Sequence, residues 1–244
     1  MSLNNIECKN CGNMFHGHYC NNCGQKSAIH RISLKNLLHD FFHATTHLDR
    51  GYLHTAKEMF IRPGHTIREY LQGKRVSHPN PILMMIITGG LCSLMYYNLE
   101  LQTVSAFKIN ELGGGTHIIE SKFFAILYIS YSLLLSFFDF IFFRKKGYNF
   151  TEFFILNVFI SIEILLSLLI LVPVWLIGKS LEINVYLRLI VGFGFIAYLV
   201  YVRYQFFEIN KNPQSKWILI IESLLFLTLF LLISYHNILE VLSA

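Results

Sequence analysis

Charge is what this sequence has least of: 14% of its 244 residues are Asp, Glu, Lys or Arg, where a water-soluble domain carries about 25%. That deficit excludes a cytosolic enzyme of ordinary composition. With 54% hydrophobic residues the chain is also no disordered polymer, which would need low hydrophobicity and high net charge. Cysteine is scarce too, five residues in all, too few and too clustered for a disulfide framework. Proline numbers five, and no internal repeat or low-complexity tract is visible. The first 30 residues lack the apolar run of a secretory signal, so none is expected.

What charge there is lies unevenly. Residues 1–80 hold ten Lys and Arg against five acids, so they carry the whole net +5 of the chain, with nine of the eleven His and four of the five Cys. The composition changes at Ser77-His78-Pro79-Asn80-Pro81. Five apolar runs follow, at about 81–98, 123–143, 151–177, 186–207 and 217–235, each long enough as a helix for a hydrocarbon core of about 30 Å. Pro173 predicts a tilt or kink late in the third run. Lys and Arg cluster before the first run, between the second and third (Arg144-Lys145-Lys146) and between the fourth and fifth. Excess Lys and Arg mark the cytoplasmic side. The expected fold is therefore an all-α integral membrane protein of five transmembrane helices, with the N-terminus in the cytoplasm and the C-terminus in the periplasm.

The strongest motif precedes the spans. Cys8-Lys9-Asn10-Cys11 and Cys20-Asn21-Asn22-Cys23 are two Cys-x-x-Cys knuckles separated by eight residues. Four thiolates suit one tetrahedral Zn²⁺ with bonds of about 2.3 Å, in a structural site that leaves no open position. Residues 1–28 have few large apolar groups (Ile6, Met14, Phe15, Tyr19), so this zinc ribbon should depend on its metal to fold. Rubredoxin-like iron is the alternative ion; disulfides conflict with a reducing cytoplasm. His16 and His18 lie between the knuckles as surface or packing residues rather than ligands.

Residues 29–80 read as a cytoplasmic amphipathic region lying in the membrane interface. Ser33 can cap a helix with Leu34, Leu37, Leu38, Phe41, Phe42 and Leu48 on one stripe. His39, His43 and His47 recur on the opposite face, either as a second metal site, His54 adding to it, or as a solvated face. A helix over 52–62 should stop at Pro63-Gly64. Thr66 and Glu69 form a capping box for another, closed by Gly73. Arg62, Arg68, Lys74 and Arg75 can hold lipid phosphates, or simply anchor the positive inside. DNA binding is disfavoured, since acids interrupt the basic groups and no recognition motif is present.

Within the third run Glu163 falls about 18 Å from the start, near the midplane, where an ionisable group is a functional hypothesis by default. The other reading is a protonated packing device. Asp139, Arg203 and Glu222 lie on different spans near the cytoplasmic face and can form a buried ion network. Gly89 and Gly90 in the first span permit close helix approach.

Taken in order, Cys-x-x-Cys, Tyr19-Cys20-Asn21-Asn22-Cys23-Gly24-Gln25, Thr55, Arg62-Pro63-Gly64, Tyr70-Leu71-Gln72-Gly73-Lys74-Arg75 and Pro81 resemble an uncharacterised family of bacterial inner-membrane proteins with an N-terminal zinc ribbon, known as a domain of unknown function. The resemblance covers about residues 8–85. It implies placement and architecture, and brings no catalytic residue with it. The expected function is a zinc-ribbon docking or regulatory module on a helical membrane anchor, more a binding protein than an enzyme. Its partner would be a cytoplasmic protein or an anionic lipid. Two other classes are open: a transporter or channel using Glu163, and a lipid-modifying metalloenzyme using His39, His43 and His47.

Overall fold

In a computed structural model the described residues are 5–37, 51–99, 124–179 and 185–207. They are mostly helical. A two-stranded antiparallel hairpin, β1 (Ile6–Glu7) and β2 (Met14–Phe15), pairs Ile6 with Phe15 and Glu7 with Met14. After it come α1 (Tyr52–Ile61), α2 (Pro63–Gln72), α3 (Pro81–Leu99), α4 (Phe124–Phe143), a 3₁₀ turn (Arg144–Lys146), α5 (Phe150–Lys179) and α6 (Val185–Phe206).

Four of the five expected apolar runs thus form helices within a residue or two of their sequence limits. The fifth, 217–235, lies outside the described residues, as do His39, His43, His47 and Glu222. The expected count of five spans is not carried by the fold. Among the described residues one stretch, Phe150–Ile170 of α5, is long and apolar enough to cross a membrane. The apolar parts of α3 and α4, Pro81–Met95 and Tyr128–Phe143, are shorter. The helix of α5 also continues through Pro173 without interruption.

α5 is the axis of the packing. α3 and α4 pack against it and against each other, while α2 packs against α6 and α5. Phe153, Ile155, Leu156, Val158, Phe159, Ile162 and Leu165 of α5 are fully buried. Ile32, Leu37, Met59, Ile67 and Tyr70 join the same core as Met84, Phe159 and Phe206. The described residues from Ile32 to Tyr70 thus share a core with the helices that follow Pro81, while Cys8, Phe15 and Cys20 form a small cluster of their own.

One helix boundary differs from expectation, the start of α2. Pro63 opens α2 at its first position, where a proline loses no helical hydrogen bond, and α1 has already ended at Ile61. Thr66 is accordingly inside α2, its hydroxyl donating to the Arg62 carbonyl at 3.1 Å, and no capping box forms with Glu69. The reciprocal box exists instead at α5: Asn149 Oδ1 accepts from the Glu152 N–H and Glu152 Oε2 from the Asn149 N–H, both at 2.8 Å. Gly73 does close α2, in the left-handed conformation at φ 115°. Ser33 begins a helical turn at residues 34–37, its hydroxyl accepting from the Asn36 N–H.

Gly64 is where α2 meets α6. A Cβ there would lie 2.4 Å from the Phe206 nitrogen and 2.5 Å from Gln205 Cβ and the Val202 carbonyl oxygen. One turn on, Arg68 donates to the Phe206 and Gln205 carbonyls, which a helix C-terminus leaves without intrahelical partners. These two residues dock the helical hairpin α1–α2 onto the end of α6.

Candidate metal centre

The two knuckles repeat one local geometry. Cys8 N–H donates to Asn13 and Gly12 N–H to Cys8; twelve residues later Cys20 N–H donates to Gln25 and Gly24 N–H to Cys20, all at 2.8–2.9 Å. Gly12 and Gly24 sit at φ 72° and 77°, a conformation that favours glycine and lets the loop turn tightly under the sulfurs. Asn13 Nδ2 donates to Asn21 Oδ1 at 3.0 Å, tying one knuckle to the other. Phe15 is the buried apolar side chain of this unit, packed with Cys8 and Cys20, while Ile6, Met14 and Tyr19 are exposed.

The four Sγ atoms lie within 4.8 Å of one another. Cys8 and Cys23 are 3.5 Å apart and Cys11 and Cys20 3.6 Å. A tetrahedral thiolate site with bonds of about 2.3 Å has edges of about 3.8 Å, so the set fits one metal ion. Burial alone would raise the Cys20 thiol, but the backbone N–H groups of Cys23 and Asn22 and the neighbouring thiols bring it down to about 6. A thiolate, the form that binds metal, is thus favoured there. His16 and His18 are exposed and stand outside the cluster. Among the described residues no other group of three metal-ligating side chains comes together.

The unit is keyed to the helices. Gln25 Oε1 accepts from the Arg75 N–H at 3.2 Å. Arg31 donates to both carboxylate oxygens of Glu152, at 2.7 and 2.5 Å, and to the Gly147 carbonyl. Asn149 Nδ2 reaches the Ile32 carbonyl at 3.0 Å.

The expected phosphate-binding cations have protein partners here. Arg62 pairs with Glu58 and, at 3.2 Å, with Glu69; Lys74 pairs with Glu69 at 3.2 Å. Arg75 donates to the His30 carbonyl and lies 5.8 Å from the centre of the Tyr70 ring. Arg68 is on the end of α6.

Of the expected intramembrane polar groups, Asp139 and Arg203 do come together, 3.5 Å apart and almost fully buried. Asn157 joins them, its Nδ2 donating to Asp139 Oδ2 at 2.7 Å and its Oδ1 accepting from Arg203 at 3.1 Å. Ser132, Ser136 and Ser161 extend this chain between α4 and α5. Glu163 is buried, and neither carboxyl oxygen has a hydrogen-bond partner among the described residues.

A second polar group was not anticipated. The Thr55 hydroxyl and His78 Nδ1 share a buried hydrogen bond of 2.9 Å, with the His54 ring 5.6 Å from that of His78. Tyr52 reaches Thr88 at 2.8 Å. The available signal was the placement of His78 and Asn80 around Pro79, where polar residues enter an apolar run. Asn80 indeed caps α3, accepting from the Ile82 N–H at 2.9 Å.

No curated protein and no solved structure matches this chain. Residues 49–92, from just before α1 into α3 and excluding the cysteine knuckles, match the family described as "Protein of unknown function (DUF3667)", and to that extent the chain is similar to it.

Proposed function

We propose that this chain is a multi-pass membrane protein whose cysteine unit, closed around one structural zinc, is a docking module on the cytoplasmic face of a helical anchor of five spans. The observation that carries the reading is the reversed polarity of α4. Ile126, Leu133, Leu134, Phe137, Ile141 and Phe142 are exposed, while Ser132, Ser136 and Asp139 on the same helix are buried. Water would favour the opposite arrangement, and an exposed apolar face of this extent calls for a covering partner. Hydrocarbon favours this one, with ionisable groups paired in the bundle interior. Lys9 of the first knuckle, Arg68 of α2 and Lys146 of the 3₁₀ turn line one cleft, so basic groups from three elements meet beside the start of α5, in keeping with a cytoplasmic face there. A filled thiolate shell leaves no position for substrate, which favours recognition over chemistry.

The test is recovery of partners with the full chain in a mild detergent. Cys20→Ser should lose the metal and the proteins that co-purify with the intact chain while the helices still insert. Identical recovery from both would overturn the docking role. Tag accessibility at both termini checks the orientation, a cytoplasmic C-terminus arguing against five spans.

The orphaned carboxyl of Glu163 favours a second reading, a transporter or channel. It requires that Glu163→Gln abolish a proton- or ion-coupled flux in reconstituted vesicles; full flux in that variant excludes it.

A further inference from the structure

Between the first knuckle, the end of α2 and the turn before α5 lies a cleft of ≈ 450 Å³. Lys9, His30, Arg31, Arg68 and Lys146 line it, with Glu152 as the single acid among its lining residues. These side chains come from four stretches of the chain. The bidentate contact with Arg31 neutralises Glu152. Arg68 directs its donors to the carbonyls of α6 and so lends the cleft charge rather than hydrogen bonds. Lys9 and Lys146 have no acidic partner among the described residues. The stem of Lys9 packs on Gly73, where a Cβ would lie 3.1 Å from Lys9 Cδ. This glycine, already required by its φ, thus seats the lysine at the cleft.

We infer that this cleft binds a phosphate group. Two lysines without acidic partners and the field of Arg68 exceed what a single carboxylate would balance, whereas a phosphate monoester brings a charge of about −1.5 to −2 and three acceptor oxygens. Lysine serves such groups as a point charge, and a concave basic surface concentrates anions. The cleft lies beside the Arg144–Lys146 turn at the cytoplasmic end of the bundle, so a lipid headgroup and a water-soluble phosphate are both within reach. The lipid source rests on the membrane reading above; the phosphate chemistry does not.

The experiment is calorimetric titration of the full, metal-loaded chain in neutral detergent with dioctanoyl phosphatidic acid, glycerol 3-phosphate, inorganic phosphate and dioctanoylglycerol. Lys9→Gln/Lys146→Gln should weaken phosphate binding at least tenfold while keeping its metal and melting temperature; Lys57→Gln, outside the cleft, should not. Binding of phosphatidic acid alone identifies a headgroup site. Equal binding of glycerol 3-phosphate identifies a soluble ligand and still supports the inference. Absence of saturable phosphate binding, unchanged affinity in the double variant, or equal binding of phosphate-free dioctanoylglycerol overturns it. The titration needs neither a bilayer nor a protein partner, so its failure is separable from failure of the docking role.

Discussion

Arg68 grips the end of α6 through Phe206: its Nε and one terminal nitrogen both donate to the Phe206 carbonyl, at 3.0 and 2.9 Å, across 138 residues of chain. A cation on the orphan carbonyls of a helix C-terminus satisfies both their hydrogen bonding and their partial negative charge. Arg68→Met should destabilise the protein by about 2–3 kcal/mol, the scale of lost charged hydrogen bonds. Arg68→Lys should recover only part of this, because an ammonium cannot reproduce the planar fork. Thermal unfolding of the detergent-solubilised chain checks both, and equal melting temperatures for Met and Arg would refute the role.

Neighbouring glycines should respond oppositely. A Cβ on Gly89 would lie 2.8–2.9 Å from Ala125, whereas one on Gly90 meets nothing within 4 Å. Gly89→Ala should cost about 1–3 kcal/mol through overpacking, and Gly64→Ala, facing the backbone of α6, at least as much. Gly90→Ala should stay within about 0.5 kcal/mol of the parent. The same melting series measures all three.

The buried pair of Asp139 and Arg203 predicts a non-additive cycle. Asp139→Asn alone leaves the Arg203 charge without its carboxylate, and removing one partner of a buried pair costs about 3–5 kcal/mol. Asp139→Asn with Arg203→Met should recover most of that loss. Additive costs in the double variant would show that the two side chains do not act together.

His78 sets a pH dependence. Burial first, then the neighbouring His54 and Arg62, push its ring down to about 4, against the opposing pull of Glu69 and Glu58. Its ordinary value of 6.5 applies to the unfolded chain, so between pH 6.5 and 4 the unfolded state binds the extra proton. The contribution is therefore complete above pH 6.5 and is lost as pH falls toward 4, at up to about 1.4 kcal/mol per pH unit. His78→Asn, which keeps a hydrogen-bonding group for Thr55, should flatten the melting temperature across this window. An unchanged slope would assign it to other groups.

Local chemistry was legible where it acts within one element. Apolar runs located α3, α4, α5 and α6, the spacing of Cys8, Cys11, Cys20 and Cys23 marked the metal unit, and Gly73 announced the end of α2. Neighbouring signals could also compete. Thr66 and Glu69 have the spacing of a capping box, but Pro63 starts the helix earlier and places Thr66 inside it. Asn149 and Glu152 carry the same spacing at a true helix start, and their box forms.

The sequence by itself determined that four cysteines are spaced for one metal ion, that the net positive charge lies before Pro81, and that long apolar helices follow. Each of these depends on residues near one another in the chain, through turn geometry, periodicity and hydropathy. Only the tertiary structure decided that Gly64 and Arg68 seat α2 on α6, that Asn157 bridges Asp139 and Arg203, and that Lys9 and Lys146 share a cleft. Those relationships join positions from 18 to 141 residues apart, and no local pattern encodes them. They exist because helices pack along specific faces, and which faces meet is settled by the shape and polarity of the whole assembly.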